Sequence, residues 1–149
     1  MASKKGFTLI ELLVSMSIVG VLFISAAPLY STFRQRAHGS EANIMIKQLI
    51  QAEISYFIEH NEYFPPGGET YTVYHNGATQ PATAVEKISE NLKIILKTGH
   101  FIDYSIRTDD LNNAYITISG SNFKLFENSN ALMVTIDQEG AVKYIPMTE

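Results

Sequence analysis

From Leu12 to Tyr30 the chain carries no charged residue. As a helix this run is about 28 Å long at ~1.5 Å per residue, close to the ~30 Å hydrocarbon core of a bilayer. Two lysines, Lys4 and Lys5, stand before it, and one carboxylate, Glu11, sits inside its start. The remainder has the mixed polar and apolar composition of an ordinary small domain. A membrane-length helix carrying a soluble head is therefore the frame into which any function must fit.

Three fates of the N-terminus are compatible with these residues. One is a cleaved secretory signal, with Ser25-Ala26-Ala27 as a small-residue cut site, although the run is longer than a usual signal core. Another is an uncut anchor with Lys4 and Lys5 on the cytoplasmic side. The third is a cut placed before the apolar segment, which leaves that segment on the mature chain. Charge narrows the partners: the formal net charge is −4, and the basic residues Lys4, Lys5, Arg34 and Arg36 are concentrated towards the front. This is no basic surface for nucleic acid. The chain has no cysteine, which excludes disulfide frameworks, thiol catalysis and cysteine-held zinc.

Lys5-Gly6-Phe7-Thr8-Leu9-Ile10-Glu11, followed directly by the uncharged run, resembles the N-terminus of type IV prepilins and of the related pseudopilins of type II secretion. Gly20 and Pro28 fall where that family commonly has helix-weakening residues. Arg36-Ala37 and Ser40-Glu41-Ala42 are similar to the polar helix segment beyond, so the close resemblance covers about residues 4 to 42. It implies cleavage between Gly6 and Phe7 by a prepilin peptidase, N-methylation of Phe7, and packing of N-terminal helices into a filament. It also implies an inner-membrane assembly platform as a partner. The expected location is single-pass in the inner membrane, then an extracellular pilus or a periplasmic pseudopilus. The expected role is a non-enzymatic structural subunit of a type IV pilus. The alternative is a pseudopilin or minor pilin of a secretion or DNA-uptake system.

Glu11 is the residue that most needs a reason. A carboxylate at mid-bilayer costs about 2.5–3.5 kcal/mol on insertion scales, and less towards the interface. Beside the new α-amine of a neighbouring subunit's Phe7 it becomes half of an ion pair in a low dielectric. It is read as an assembly residue that aligns an incoming subunit with the last one. Thr8, Ser15, Ser17 and Ser25 are expected to return their hydroxyls to backbone carbonyls and so tolerate the membrane. Gly20 and Pro28 weaken the helix, as a kink in the isolated chain or as a melting segment in a filament.

Helical periodicity continues past Pro28. Ala42, Met45, Ile46, Leu49, Ile50, Ile54, Phe57 and Ile58 recur at helical spacing, which predicts one amphipathic helix to about His60. A helix from Phe7 to His60 is roughly 80 Å long. One domain cannot cover that length, so its apolar half must be buried in a membrane or against neighbouring subunits. Asn61 to Ala82 reads as a linker, broken by Pro65-Pro66-Gly67-Gly68, with a short strand at Tyr71–Tyr74 and a turn at Asn76-Gly77. Thr83-Ala84-Val85-Glu86 has capping-box spacing, and a second helix is expected from there to Lys97, closed by Gly99.

The last third alternates. Strands are expected at residues 101–107, 114–119, 123–126, 131–136 and 141–145, joined by short turns as an antiparallel meander. Ile116, Ile118, Leu132, Val134 and Ile136 are expected to face the helix. The fold expected is α+β and pilin-like, with a long N-terminal helix packed on a small antiparallel sheet. Its segments are a leader (1–6), an apolar helix half (7–33) and a head (34–149).

No catalytic constellation is legible. His38, His60, His75 and His100 are scattered without metal-ligand spacing, so no metal and no cofactor is expected. Asp103, Asp109, Asp110 and Asp137 are read as turn and surface acids rather than a calcium site.

Overall fold

The computed structural model describes residues 6–99, 101–121, 124–126 and 129–147, so Lys4, Lys5 and His100 lie outside the described residues. The chain opens with one helix, α1, Leu9–His60. It is helical through Gly20 and Pro28 alike. Proline has no N–H to give the Ile24 carbonyl, and one turn further on Ser31 and Thr32 return their hydroxyls to the Pro28 carbonyl at 2.9 and 3.2 Å. Asn61, in the left-handed region at φ 60°, ends the helix and donates its N–H to the Phe57 carbonyl at 2.7 Å. The chain divides into two compact units within α1, between Arg34 and Gln35.

The second unit holds the core. Ala42, Met45, Ile46, Leu49 and Ile50 are buried as their spacing predicts, and Ile54 and Phe57 are partly buried against them. Ile58 departs from the expected stripe and is 78% exposed. The stripe continues instead through Ala52, Glu53 and Tyr56. Against it lies a six-stranded antiparallel sheet: β1 (Thr70–Val73), β2 (Thr79–Gln80), β3 (Ile102–Thr108), β4 (Ala114–Gly120), β5 (Ala131–Ile136) and β6 (Val142–Met147). The strand order is β2-β1-β3-β4-β5-β6. Alternation sets which face is buried. Ile102, Tyr104 and Ile106 of β3, Ala114, Ile116 and Ile118 of β4, and Val134 and Ile136 of β5 all enter the core. Leu132 is only partly buried. The architecture is the expected α+β arrangement of a long N-terminal helix with an antiparallel sheet.

Four local expectations need correction. The stretch from Asn61 to Ala82 is a packed part of the head, because Tyr63, Phe64, Tyr71 and Val73 are core residues and two strands lie within it. The rings of Phe64 and Tyr71 stack at 5.2 Å, and those of Phe57 and Tyr63 at 4.5 Å. The second helix, α2, runs only from Ala84 to Leu92. It stops at Lys93, in the left-handed region at φ 54°, well before Gly99. Beyond it the chain alternates, with Leu96 buried and Ile95 87% exposed. The capping box at Thr83 does not form. Thr83 has φ −98° and ψ 13° and no side-chain cap bond, whereas a capping side chain needs an extended backbone to reach back over the first turn. Finally, there is no strand at 124–126. Only an isolated bridge joins Phe126 to Ser129, and Phe123 lies outside the described residues.

Gly39 positions that last segment. A Cβ on Gly39 would lie 2.6 Å from the Leu125 carbonyl oxygen, and Gln35 donates from Nε2 to the Phe126 carbonyl at 3.2 Å. Alanine in a helix interior normally gains about 1 kcal/mol over glycine. Here the new methyl would push backbone off the helix, so Gly39→Ala is expected to lower the melting temperature of the head. A higher melting temperature would show that 124–126 yields at no cost.

Candidate functional site

The N-terminal unit is built from the start of α1. Thr8 is the residue before the helix and Glu11 is its third residue, the spacing of a capping box. The Glu11 N–H donates to Thr8 Oγ1 at 3.3 Å. In return Glu11 Oε2 accepts from the Thr8 N–H at 2.9 Å and from the Thr8 hydroxyl at 2.7 Å. Two of the donors that a helix start leaves unpaired, the Thr8 and Glu11 N–H groups, are thereby satisfied.

This corrects one expectation and adds to another. Thr8 does not return its hydroxyl to a carbonyl but gives it to Glu11. Glu11, read from sequence as a partner for an α-amine, also has a partner three residues away in Thr8. The Thr-x-x-Glu spacing was the signal that could have found it. The other hydroxyls behave as expected: Ser15 donates to the Leu12 carbonyl, Ser17 to Leu13 and Ser25 to Val21, at 2.8–3.1 Å.

Around this start the helix buries nothing in its own chain. Phe7 is 82% exposed, and Leu9, Ile10, Leu12, Leu13, Phe23, Ile24, Tyr30 and Phe33 are exposed with it. A continuous apolar face of this size marks a surface meant to be covered. By length and composition α1 can cross a membrane. Gly6 and Phe7 precede the helix and are exposed, so the bond between them is not held in secondary structure.

Asp109 and Asp137 organise turns. Asp109 accepts the N–H groups of Leu111 and Asn113, the Asn113 side-chain amide and the Tyr115 hydroxyl at 2.8–3.0 Å. Those bonds, the Asn113 ones foremost, lower its carboxyl to about 2. Asp137 caps the β5–β6 turn through the Glu139 and Ala141 N–H groups. Asp103 instead pairs with His75. Among the histidines, His60 stacks on Tyr56 at 4.0 Å and His38 meets the Phe101 ring edge at 6.1 Å. Among the described residues no group of three or more His, Asp or Glu side chains is placed to hold a metal ion.

The apolar start of α1 is long enough to cross a membrane, and the α+β head follows it in the chain. Residues 1–27 match the prokaryotic N-terminal methylation motif. The chain is 40% identical over 67 residues to a fimbrial protein of Neisseria meningitidis serogroup B, a match covering 45% of this chain and 38% of that one. It is 41% identical over 60 residues to the type IV major pilin protein PilA of Myxococcus xanthus, covering 40% and 27% respectively. A type IV major pilin protein PilE1 of Neisseria gonorrhoeae is 38% identical over 60 residues, covering 40% and 36%. The match thus spans between 27% and 38% of the length of these curated relatives. No solved structure is significantly similar. The likeness to type IV pilins and fimbrial proteins lies in the N-terminal part of the chain, where the methylation motif also matches.

Proposed function

We propose that this protein is a type IV pilin: a prepilin cut between Gly6 and Phe7, methylated at the Phe7 amine, and assembled into a filament through α1. The observation that carries the reading is the pairing of an unburied apolar helix start with Glu11 inside the matched methylation motif. In this reading residues 1–6 are a leader, 7–33 are the filament core or membrane half, and 34–149 are the head. The partners are further copies of the chain, the prepilin peptidase and an assembly platform in the inner membrane. The chain works by assembly, without turnover. It waits as a single-pass inner-membrane protein and ends in an extracellular filament.

The physical logic is sequential. Removing residues 1–6 takes away Lys4 and Lys5, so the cytoplasmic end loses the charges that hold it at the membrane surface and gains one α-amine. That amine, on the neighbouring Phe7, is the partner proposed for Glu11. Gly20 and Pro28 lie within α1 where propensity is weakest, and we assign them the role of a segment that can straighten or melt when subunits pack or the filament is stretched.

N-terminal mass spectrometry of the protein from sheared surface filaments tests the reading. The expected chain begins at Phe7 and carries one added methyl group. A chain beginning at Met1, or after Ala27, would overturn it. Trace recovery in filaments, with correct processing, would favour the minor or pseudopilin role instead.

A further inference from the structure

His75, Asp103 and Ser121 are far apart in sequence, and strand register brings them together. Val73 of β1 pairs with Tyr104 of β3, which sets His75, two residues beyond β1, beside Asp103. Ile102 of β3 pairs with Gly120 of β4, which brings Ser121 to the same end of the sheet. His75 Nδ1 lies 3.0 Å from Asp103 Oδ1, and His75 Nε2 lies 3.2 Å from Ser121 Oγ. The His75 backbone N–H also donates to Asp103 Oδ1. That oxygen acts as an acceptor, so Nδ1 carries the ring proton. In the neutral imidazole Nε2 is then the acceptor, and the Ser121 hydroxyl must be the donor. Acid, imidazole and hydroxyl stand in the order, and use the ring nitrogens, of a base-activated serine.

We infer that Ser121 is a base-poised nucleophile that accepts one acyl group from an activated ester or thioester. The site is open to such a reagent: the His75 side chain is 36% exposed and Ser121 is only half-buried. Ser121 Oγ attacks the acyl carbon while His75 Nε2 takes its proton. The Oγ–carbon bond forms, the bond to sulfur or aryl oxygen breaks, and the proton passes to the leaving group. Nothing is oxidised or reduced.

The same geometry bears on which acyl donors can react. An oxyanion hole needs free backbone donors near the nucleophile. The Ser121 N–H is spent on the Phe101 carbonyl at 2.8 Å and the Gly120 N–H on Asn130 at 2.9 Å. Among the described residues these two nearest N–H groups are thus engaged, so the reaction is expected with donors that have good leaving groups. The site is independent of how α1 assembles.

The test uses the full chain in detergent and p-nitrophenyl acetate as the donor, with acetylated peptides mapped by mass spectrometry. One acetyl group is expected on Ser121, forming at least about a hundredfold faster than on the exposed Ser55, in line with the ~10²–10⁴ that a positioned base contributes. Ser121→Ala should remove the label. His75→Gln and Asp103→Asn should each slow it to the Ser55 rate with the circular dichroism spectrum unchanged. Asp103→Asn matters most, because it keeps the shape of the site and removes the negative charge that stabilises the imidazolium formed when His75 takes the proton. Labelling of Ser121 no faster than Ser55, or unaltered by Asp103→Asn, would show that the three side chains only pin the sheet end.

Discussion

Replacing Glu11 by alanine is expected to leave the cut after Gly6 intact and to abolish filaments. Glu11 has two roles that alanine removes together. Within its own chain it completes the capping box with Thr8, and loss of such a cap costs about 0.5–2 kcal/mol of helix stability. In the proposed assembly it meets the amine of a neighbouring Phe7, and leaving one member of a buried ion pair unpaired costs ~3–5 kcal/mol. The second term is the larger, and it recurs at every subunit added. The first delays only the opening turn of a helix that runs to His60.

Two further substitutions separate these roles. Glu11→Gln keeps an oxygen three residues after Thr8 and so keeps the cap, but it has no charge to offer an amine. It should process normally and still fail to assemble, as counted by electron microscopy of sheared material. Thr8→Ala does the reverse and should reduce filament yield only mildly. If the Gln variant filaments like the parent, capping is the whole purpose of Glu11 and the docking role is wrong. The capping box also suggests how docking proceeds. Oε2 already holds two donors from Thr8, so an incoming amine either shares the carboxylate or displaces Thr8 from it, and assembly begins as an exchange of partners.

Most of the architecture was legible because it depends on period. The α1 stripe from Ala42 to Ile50 and the strands at 102–108, 114–120 and 131–136 follow from repeats of 3.6 and 2 that burial imposes, whereas 142–147 has no buried residue and is placed by its pairing with β5. What was missed depends on single backbone dihedrals or on long-range pairing. Nothing in Leu92-Lys93-Ile94 announces a left-handed residue at Lys93, so the end of α2 was displaced towards Gly99. Thr83-x-x-Glu86 and Thr8-x-x-Glu11 share one spacing, yet only the second caps, because a motif does not fix the φ and ψ of its first residue. The proline- and glycine-rich stretch after His60 reads as a linker by composition, and only its aromatic residues, which more often pack on their own domain than on a neighbour, point to the burial of Tyr63 and Phe64. His75, Asp103 and Ser121 meet only through β1–β3 and β3–β4 register, which scattered positions in a sequence cannot disclose.

Glu53 is the largest such omission, and the stability of the head should depend on its proton. It lies on the buried face of α1 with no exposed surface. Oε2 accepts the Phe64 N–H at 3.0 Å, fixing the chain just after the helix, and Oε1 has no hydrogen-bond partner among the described residues. Burial pushes the carboxyl from 4.5 up to about 8, and the Phe64 N–H only partly opposes that. The folded value is therefore above the unfolded one, so the folded head binds the extra proton between them. Stability from this group is complete below about 4.5 and falls as pH rises through about 8, by at most ~1.4 kcal/mol for each pH unit inside that window. Thermal melts of the full chain in detergent from pH 5 to 9 should show the parent losing stability with rising pH and Glu53→Gln losing much less, since the amide keeps an acceptor for Phe64 and does not titrate. Glu53→Ala should melt lowest at neutral pH, because it strands the Phe64 N–H at about 1–3 kcal/mol and opens a cavity as well. Parallel pH curves for the parent and the Gln variant would mean that Glu53 is solvated or paired in the native head, and that the buried carboxyl does not set its pH response.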